Sequence, residues 1–300
     1  SLLFVPPATA AEWGIKMIKR NILVTSVIIS MLIGTVINAP ISKANQIDKS
    51  AHRNNAMQFI EKNKGNLKSI NQSSQNITKF EKEYSYNDLI NGKSRQAFEN
   101  NDLLIETDIN AKPITIINKI KKNSPGVQFN GNRKMYVNRL RLEKQELDKI
   151  AETLANEIST EEKVFGEYAE THDGYIAYKW NRSYNGIKYY FDFILVVLDP
   201  VDGDIASVSK RFDSELPTNT IKLDLNQSIE IAQKYIKEKG LQNIHEIVSS
   251  EAIIINSKEQ SLSSRFAYAI TFNTTMPVKG TTTLMVDAEN GEVLEVVATK

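Results

Sequence analysis

Three hundred residues carry 37 basic and 36 acidic side chains, for a net charge of +1, with 41% hydrophobic and 24% charged residues. That balance suits a water-soluble globular chain and excludes a fully disordered or polytopic membrane protein. A general nucleic-acid binder would need a surplus of Lys and Arg facing phosphates, and there is none. Cysteine is absent, which removes disulfides, thiol nucleophiles and thiolate metal sites. Three histidines, His52, His172 and His245, supply zinc enzymes and Ser-His-Asp hydrolases poorly. The expectation is a protein without enzymatic activity, metal or cofactor.

The chain opens with Ser1, and residues 1–16 read as a leader upstream of the natural start. Met17-Ile18-Lys19-Arg20 then introduces an apolar run from Ile22 to Ile37, the outline of a secretory signal peptide over residues 17–44 with cleavage after Ala44. The run is shorter than the roughly 20 residues of a spanning helix, and an uncleaved anchor is the alternative. The expected location is outside the cell or on the outer face of its membrane.

Residues 45–134 are rich in Asn, Lys, Ile and Ser, and read as a poorly defined, partly disordered region with a linker near 63–78. Within it, Ala56, Phe59 and Ile60 have helical spacing, Leu103 to Thr107 suits a strand, and Ile114 to Ile120 a short helix. Further on, Leu147, Ile150, Ala151, Leu154 and Ile158 mark an amphipathic helix, as do Ile229, Ala232 and Ile236 before Gly240. Ile176, Tyr178 and Trp180 alternate with Ala177, Lys179 and Asn181, and Phe266, Tyr268, Ile270 and Phe272 alternate with small residues, predicting half-buried strands. Asn185-Gly186 is a tight hairpin turn into Ile187 to Asp199, with Ile205 to Phe212 returning.

Two segments repeat one pattern: Leu198-Asp199-Pro200-Val201-Asp202-Gly203-Asp204-Ile205 and Val286-Asp287-Ala288-Glu289-Asn290-Gly291-Glu292-Val293. Each reads as a hairpin turn in which Asp or Asn followed by Gly supplies positive φ. The predicted fold class is α+β: two tandem units over 135–217 and 218–300, each one helix across a three- or four-stranded antiparallel sheet. Burying each large apolar side chain under such a helix contributes about 1.5–3 kcal/mol.

Tyr178-Lys179-Trp180-Asn181-Arg182, Asn185-Gly186-Ile187, Asp192, Ile194, Val196, Asp199, Gly203 and Leu216-Pro217 resemble the YcdB/YcdC repeat of Gram-positive secreted proteins. Leu225 to Ala232, with Val286-Asp287 and Gly291-Glu292-Val293-Leu294, is similar to the related PepSY domain. Such units occur in propeptides of thermolysin-like metalloproteases and in stand-alone secreted or membrane-anchored proteins. The resemblance implies a protein-binding or peptidase-inhibiting role and carries no catalytic residue across. Phe191 stands where the repeat usually has Gly.

Candidates for chemistry each have a plainer explanation. His245-Glu246-Ile247-Val248-Ser249 starts like HExxH, but Ser249 replaces the second zinc ligand. Gly92-Lys93-Ser94 resembles the end of a phosphate loop, with Asn87 in place of the earlier glycine. Asp199, Asp202 and Asp204 could collect calcium but lack EF-hand spacing. Glu161, Glu162, Glu167 and Glu170 read as a solvated acidic surface, and His172-Asp173 as a turn. The partner-binding candidates are Trp180, Arg182, Tyr184 and Tyr190, an aromatic and guanidinium patch around the Asn185-Gly186 hairpin. The leading expectation is an exported module that binds another protein, a secreted metallopeptidase, by edge-strand addition. A propeptide remnant and a wall-polymer hydrolase are the alternatives.

Overall fold

The computed structural model describes residues 49–73, 79–88, 92–123, 142–170, 174–241, 244–256, 263–274 and 280–299. The predicted leader and signal segment therefore lie outside the described residues, as do His172 and Asp173. The chain divides into two compact bodies, one within Ala39–Ser214 and one within Glu215–Lys300.

In the first body, helix α1 (Lys49–Lys62) is followed by a short 3₁₀ turn (Lys64–Asn66) and α2 (Lys68–Ser73). Strands β1 (Lys82–Asn87), β2 (Ser94–Glu99), β3 (Leu103–Thr107) and β4 (Pro113–Asn118) form a meander that ends in α3 (Lys119–Asn123). Helix α4 (Lys144–Ile158) precedes a second meander, β5 (Lys163–Glu170), β6 (Ile176–Tyr184), β7 (Ile187–Leu198) and β8 (Ile205–Arg211). The two meanders join where β4 pairs with β8, through Thr115, Ile116 and Ile117 against Ser209, Val208 and Ser207. The result is an antiparallel sheet in the order β1-β2-β3-β4-β8-β7-β6-β5.

Both helices contribute to one core. Helix α1 buries Ala56, Phe59 and Ile60, and packs near β2, β3 and β4; α4 buries Leu147, Ala151, Leu154, Ala155 and Ile158, and packs near β7. Phe98, Ile105, Ile116, Ile194, Val196 and Val208 meet them from the sheet. The helices are also tied at their ends, where Asn63 Nδ2 donates to Glu157 Oε1 at 3.1 Å.

The second body has α5 (Leu225–Glu238) and the antiparallel meander β9 (Ile244–Asn256), β10 (Ser264–Thr274), β11 (Gly280–Asp287) and β12 (Val293–Thr299). Its core gathers Ala232, Tyr268, Ile270, Phe272, Leu284 and Val286. A capping box starts the helix: Asp224 accepts from the Gln227 amide, and the Gln227 side chain accepts from the Asp224 amide, both at 2.9 Å.

This architecture corrects the expected fold class. Two tandem units of one helix on a small sheet, preceded by a loosely ordered region, are not what forms: twelve strands dominate the described residues and few helices accompany them. Residues 45–134, expected to be poorly defined, supply four of those strands and the helices α1, α2 and α3. Asparagine there serves as a turn and cap residue rather than as a marker of disorder. Asn100 Oδ1 accepts from the Asp102 and Leu103 amides, and Asn118 Oδ1 from the Ile120 and Lys121 amides. The helix expected over Ile114 to Ile120 is instead strand β4, because its β-branched run favours the pleated surface, and helix begins only at Lys119.

The two Asp turns repeat at atomic detail. Asp199 O accepts from Gly203 N at 2.8 Å and Asp287 O from Gly291 N at 3.1 Å. Gly203 (φ +72°) and Gly291 (φ +76°) need the left-handed region. A Cβ on Gly203 would lie 2.8 Å from Ile150 Cδ1, and one on Gly291 2.7 Å from Ile231 Cδ1, so each turn also presses on its helix.

Candidate functional site

Among the described residues, β5 pairs with β6 alone, which makes it an edge of the first body's sheet. Its sequence is built around a bulge. In a regular strand Phe165 and Tyr168, three apart, would point to opposite faces. The register shifts between Phe165 and Glu167, so that Phe165 stands opposite Trp180 and Tyr168 opposite Tyr178, both toward α4. Gly166 permits the shift, because a Cβ there would come within 2.6 Å of Asn181 Oδ1, and Asn181 is held by its Nδ2 donating to Tyr189 O at 2.8 Å.

The bulge assembles an aromatic ladder. Phe165 meets Trp180 edge-on with ring centres 5.6 Å apart, Trp180 stacks on Tyr178 at 6.0 Å, and Tyr178 meets Tyr168 edge-on at 5.2 Å. The inner rungs are buried, with Trp180 9% exposed, while Phe165 and Tyr168 are 56% and 42% exposed. Helix α4 supplies a polar rim: Tyr178 donates its hydroxyl to Asp148 Oδ1 at 2.9 Å, Lys144 pairs with Asp148 at 2.7 Å, and the Lys144 ammonium lies 5.0 Å from the centre of the Tyr168 ring. Burial, then the bond to Asp148, pushes the Tyr178 hydroxyl well above the usual phenol range, so it remains a donor.

The other end of the strand carries a network of opposed charges. Lys163 stands opposite Arg182, and its Nζ donates to Ser159 O at 3.0 Å. Arg182 is clamped from several sides: Nη1 donates to Ser214 O at 2.7 Å, Nε lies 3.2 Å from Glu161 Oε2, and the guanidinium stacks 4.9 Å from the Tyr189 ring centre. Its second anion, Asp192, is buried and accepts from the Ser214 amide at 3.1 Å and hydroxyl at 2.6 Å. Burial raises the Asp192 carboxyl despite these partners.

The four expected contact residues thus separate. Trp180 is an inner rung of the ladder and Arg182 an internal clamp beside it. Tyr184 ends β6 at the hairpin, half-buried, and Tyr190 lies on β7 with its ring edge-on to Phe191 at 5.0 Å. Phe165 and Tyr168 were not among the sequence candidates. Their signal is a Phe and a Tyr flanking a Gly-Glu pair ahead of an alternating strand, legible only if Gly166 is read as a bulge.

The remaining candidates are accounted for by internal contacts. Asp199, Asp202 and Asp204 do converge, but on the Lys121 ammonium, at 2.8, 3.0 and 3.6 Å. Asp204, fully buried, also accepts from the Lys68 and Ser69 amides at 2.9 and 3.0 Å. Burial pulls the Lys121 ammonium down, and its bonds to Asp199 and Asp202 more than offset this, leaving it above its ordinary value. In the second body, Arg265 pairs likewise with buried Asp287. Glu161 engages Arg182 and Lys210, Glu167 engages Lys179, and Lys93 engages Asp213. Among the described residues no cluster of three or more His, Cys, Asp or Glu side chains is arranged to hold a metal ion. The His245 side chain lies outside the described residues.

No protein-family model matches the chain, and no curated protein is significantly similar to it. Among solved structures, the Bacillus megaterium YpeB C-terminal domain is similar over 78% of this chain and 96% of that one, at 12% identity and a TM-score of 0.42.

Proposed function

We propose that this chain is a non-catalytic, exported protein-binding module of the PepSY/YcdB type that takes an extended segment of another polypeptide along β5, and that its partner is a secreted peptidase which it restrains or helps to fold. The observation that carries this reading is the β5 edge with its half-exposed outer rungs, Phe165 and Tyr168, resting on buried Trp180 and Tyr178. An edge strand offers backbone donors and acceptors along its length, so an added strand gains affinity from main-chain bonds and selectivity from alternate side chains. The export part of the reading is supported by the charged and apolar pattern between Met17 and Ala44. A stable complex would bury about 1,200–2,000 Å² in total, more than one strand supplies, so surfaces flanking β5 would join the interface.

The test is the rate of substrate cleavage by several thermolysin-like peptidases with micromolar protein added. The reading expects at least one to be slowed, and the slowing to disappear in the double variant Phe165→Ala, Tyr168→Ala. No slowing of any of them would remove the peptidase as partner, and slowing that survives the double variant would remove β5 as the site.

A further inference from the structure

The chemistry of the β5 edge is asymmetric, and the asymmetry specifies what kind of strand fits it. On the side facing α4, β5 presents Lys163, Phe165 and Tyr168 in that order. Because the bulge absorbs one residue, a regular strand laid alongside meets these three side chains at every second position. All the pairings between named strands of the first body are antiparallel, the pattern that is also the more stable per residue. An incoming strand that continues it runs opposite to β5, so it passes Tyr168 first, Phe165 next and Lys163 last.

The two aromatic positions call for apolar side chains, since cross-strand aromatic and apolar pairs are the favourable ones on a half-exposed face. The Lys163 position calls for an acid. Lys163 gives a hydrogen bond to a neutral carbonyl, Ser159 O, which uses one of the three donors of its ammonium. Its strand neighbour Arg182 is a second cation, already engaged with Glu161 and Asp192, and Lys210 is a third, engaged with Glu161. Burial and then Lys210 lower the Lys163 ammonium below its ordinary value, against the pull of Glu152, and an incoming carboxylate would reverse that.

We infer that the β5 edge selects an extended, antiparallel segment reading apolar-x-apolar-x-acid from its N-terminal to its C-terminal end, with the two apolar side chains on Tyr168 and Phe165 and the acid on Lys163. This rests on the reading of β5 as the binding edge and adds direction, register and charge to it.

The experiment is fluorescence anisotropy at low ionic strength with the labelled peptide acetyl-TTYTFTETT-amide, a copy with Lys in place of its Glu, and the reversed-order peptide acetyl-TTETFTYTT-amide. The first should bind the protein about fivefold or more tightly than the other two, with the gap to the Lys peptide narrowing in high salt. The variant Lys163→Glu should invert the preference between the Glu and Lys peptides, and Lys163→Gln should level it. Equal affinity for those two peptides, or a preference unmoved by Lys163→Glu, overturns the acid position while leaving the edge intact. Equal binding of the reversed-order peptide overturns the antiparallel direction. If none of the three binds, the edge reading itself fails.

Discussion

Replacing Lys121 with Met would take the cation out of the Asp199–Asp204 turn while keeping most of the side chain's volume. The ammonium touches three carboxylates, and is itself only 13% exposed. Losing one partner of a buried ion pair costs about 3–5 kcal/mol, because the remaining charge stays desolvated. Asp202 is 36% exposed and Asp199 15%, so solvent screens part of the repulsion and roughly 2–4 kcal/mol is the working figure. For bodies of this size each kcal/mol moves the melting temperature by about 2–4 °C, which gives a fall of roughly 5–15 °C at pH 7.

The sign of the pH effect follows from Asp204. Burial already raises its folded carboxyl above the ordinary value against the bonds from Ser69 and the charge of Lys121, and removing that charge raises it further. A carboxyl with a raised folded value binds its proton more readily folded than unfolded, so its penalty is present at neutral pH and lifts as pH falls through that value. Thermal melts of wild type and Lys121→Met from pH 7 to pH 4 should therefore show a gap that closes in acid. A variant melting within about 2 °C of wild type at pH 7, or a gap that widens in acid, would refute the assignment of Lys121 as the turn's resident cation.

Three further substitutions probe the same physics elsewhere. Gly166→Ala drives a Cβ against Asn181 Oδ1 and should cost about 1–2 kcal/mol in a denaturant titration, with Phe165 and Tyr168 losing their shared face; an unchanged midpoint would mean the bulge is not specified by glycine. Burial would raise buried Asp287, but the bond from Arg265 and the Glu289 and Asn290 amides hold its carboxyl below the ordinary value, so its stabilisation is complete above the unfolded value and lost as pH falls through the folded one. Arg265→Leu should accordingly cost about 2–4 kcal/mol at pH 7 and progressively less below about pH 4, as pH falls through the lowered folded value, read by urea melts from pH 7 to about pH 2. Asp224→Ala removes the capping box of α5 and should cost about 0.5–2 kcal/mol, with Asp224→Asn or Asp224→Ser restoring most of it in the same melts.

How much of this was legible in the sequence depended on whether the deciding interaction was local. Helix α4 and the hairpin at Asn185-Gly186 follow from periodicity and from residues tolerant of positive φ, and Asn185 indeed takes φ +52°. Of the strands between Lys82 and Asn118, β3 shows in the apolar run Leu103 to Thr107, whereas β1, β2 and β4 are hidden by composition, with Asn100 and Asn118 standing at strand ends as caps. The convergence of Asp199, Asp202 and Asp204 was visible, but the cation that completes it comes from Lys121, 78 residues before Asp199, and no local pattern announces such a pairing. At the edge, alternation located Trp180 correctly on the apolar face, whereas a strict period of two conceals Phe165 and Tyr168: one bulge reverses the facing of everything beyond it. The clamps on Arg182, Asp192 and Ser214, lie on later strands and loops, so no local pattern shows that its guanidinium is held within the fold.

Amide hydrogen exchange of the full chain, alone and with a peptidase that it slows, addresses the binding edge most directly. Backbone protection gained across 163–170 on complex formation, and lost in the Phe165→Ala, Tyr168→Ala variant, is the predicted result. Protection appearing elsewhere while the amides of 163–170 exchange at their free rates would contradict the account.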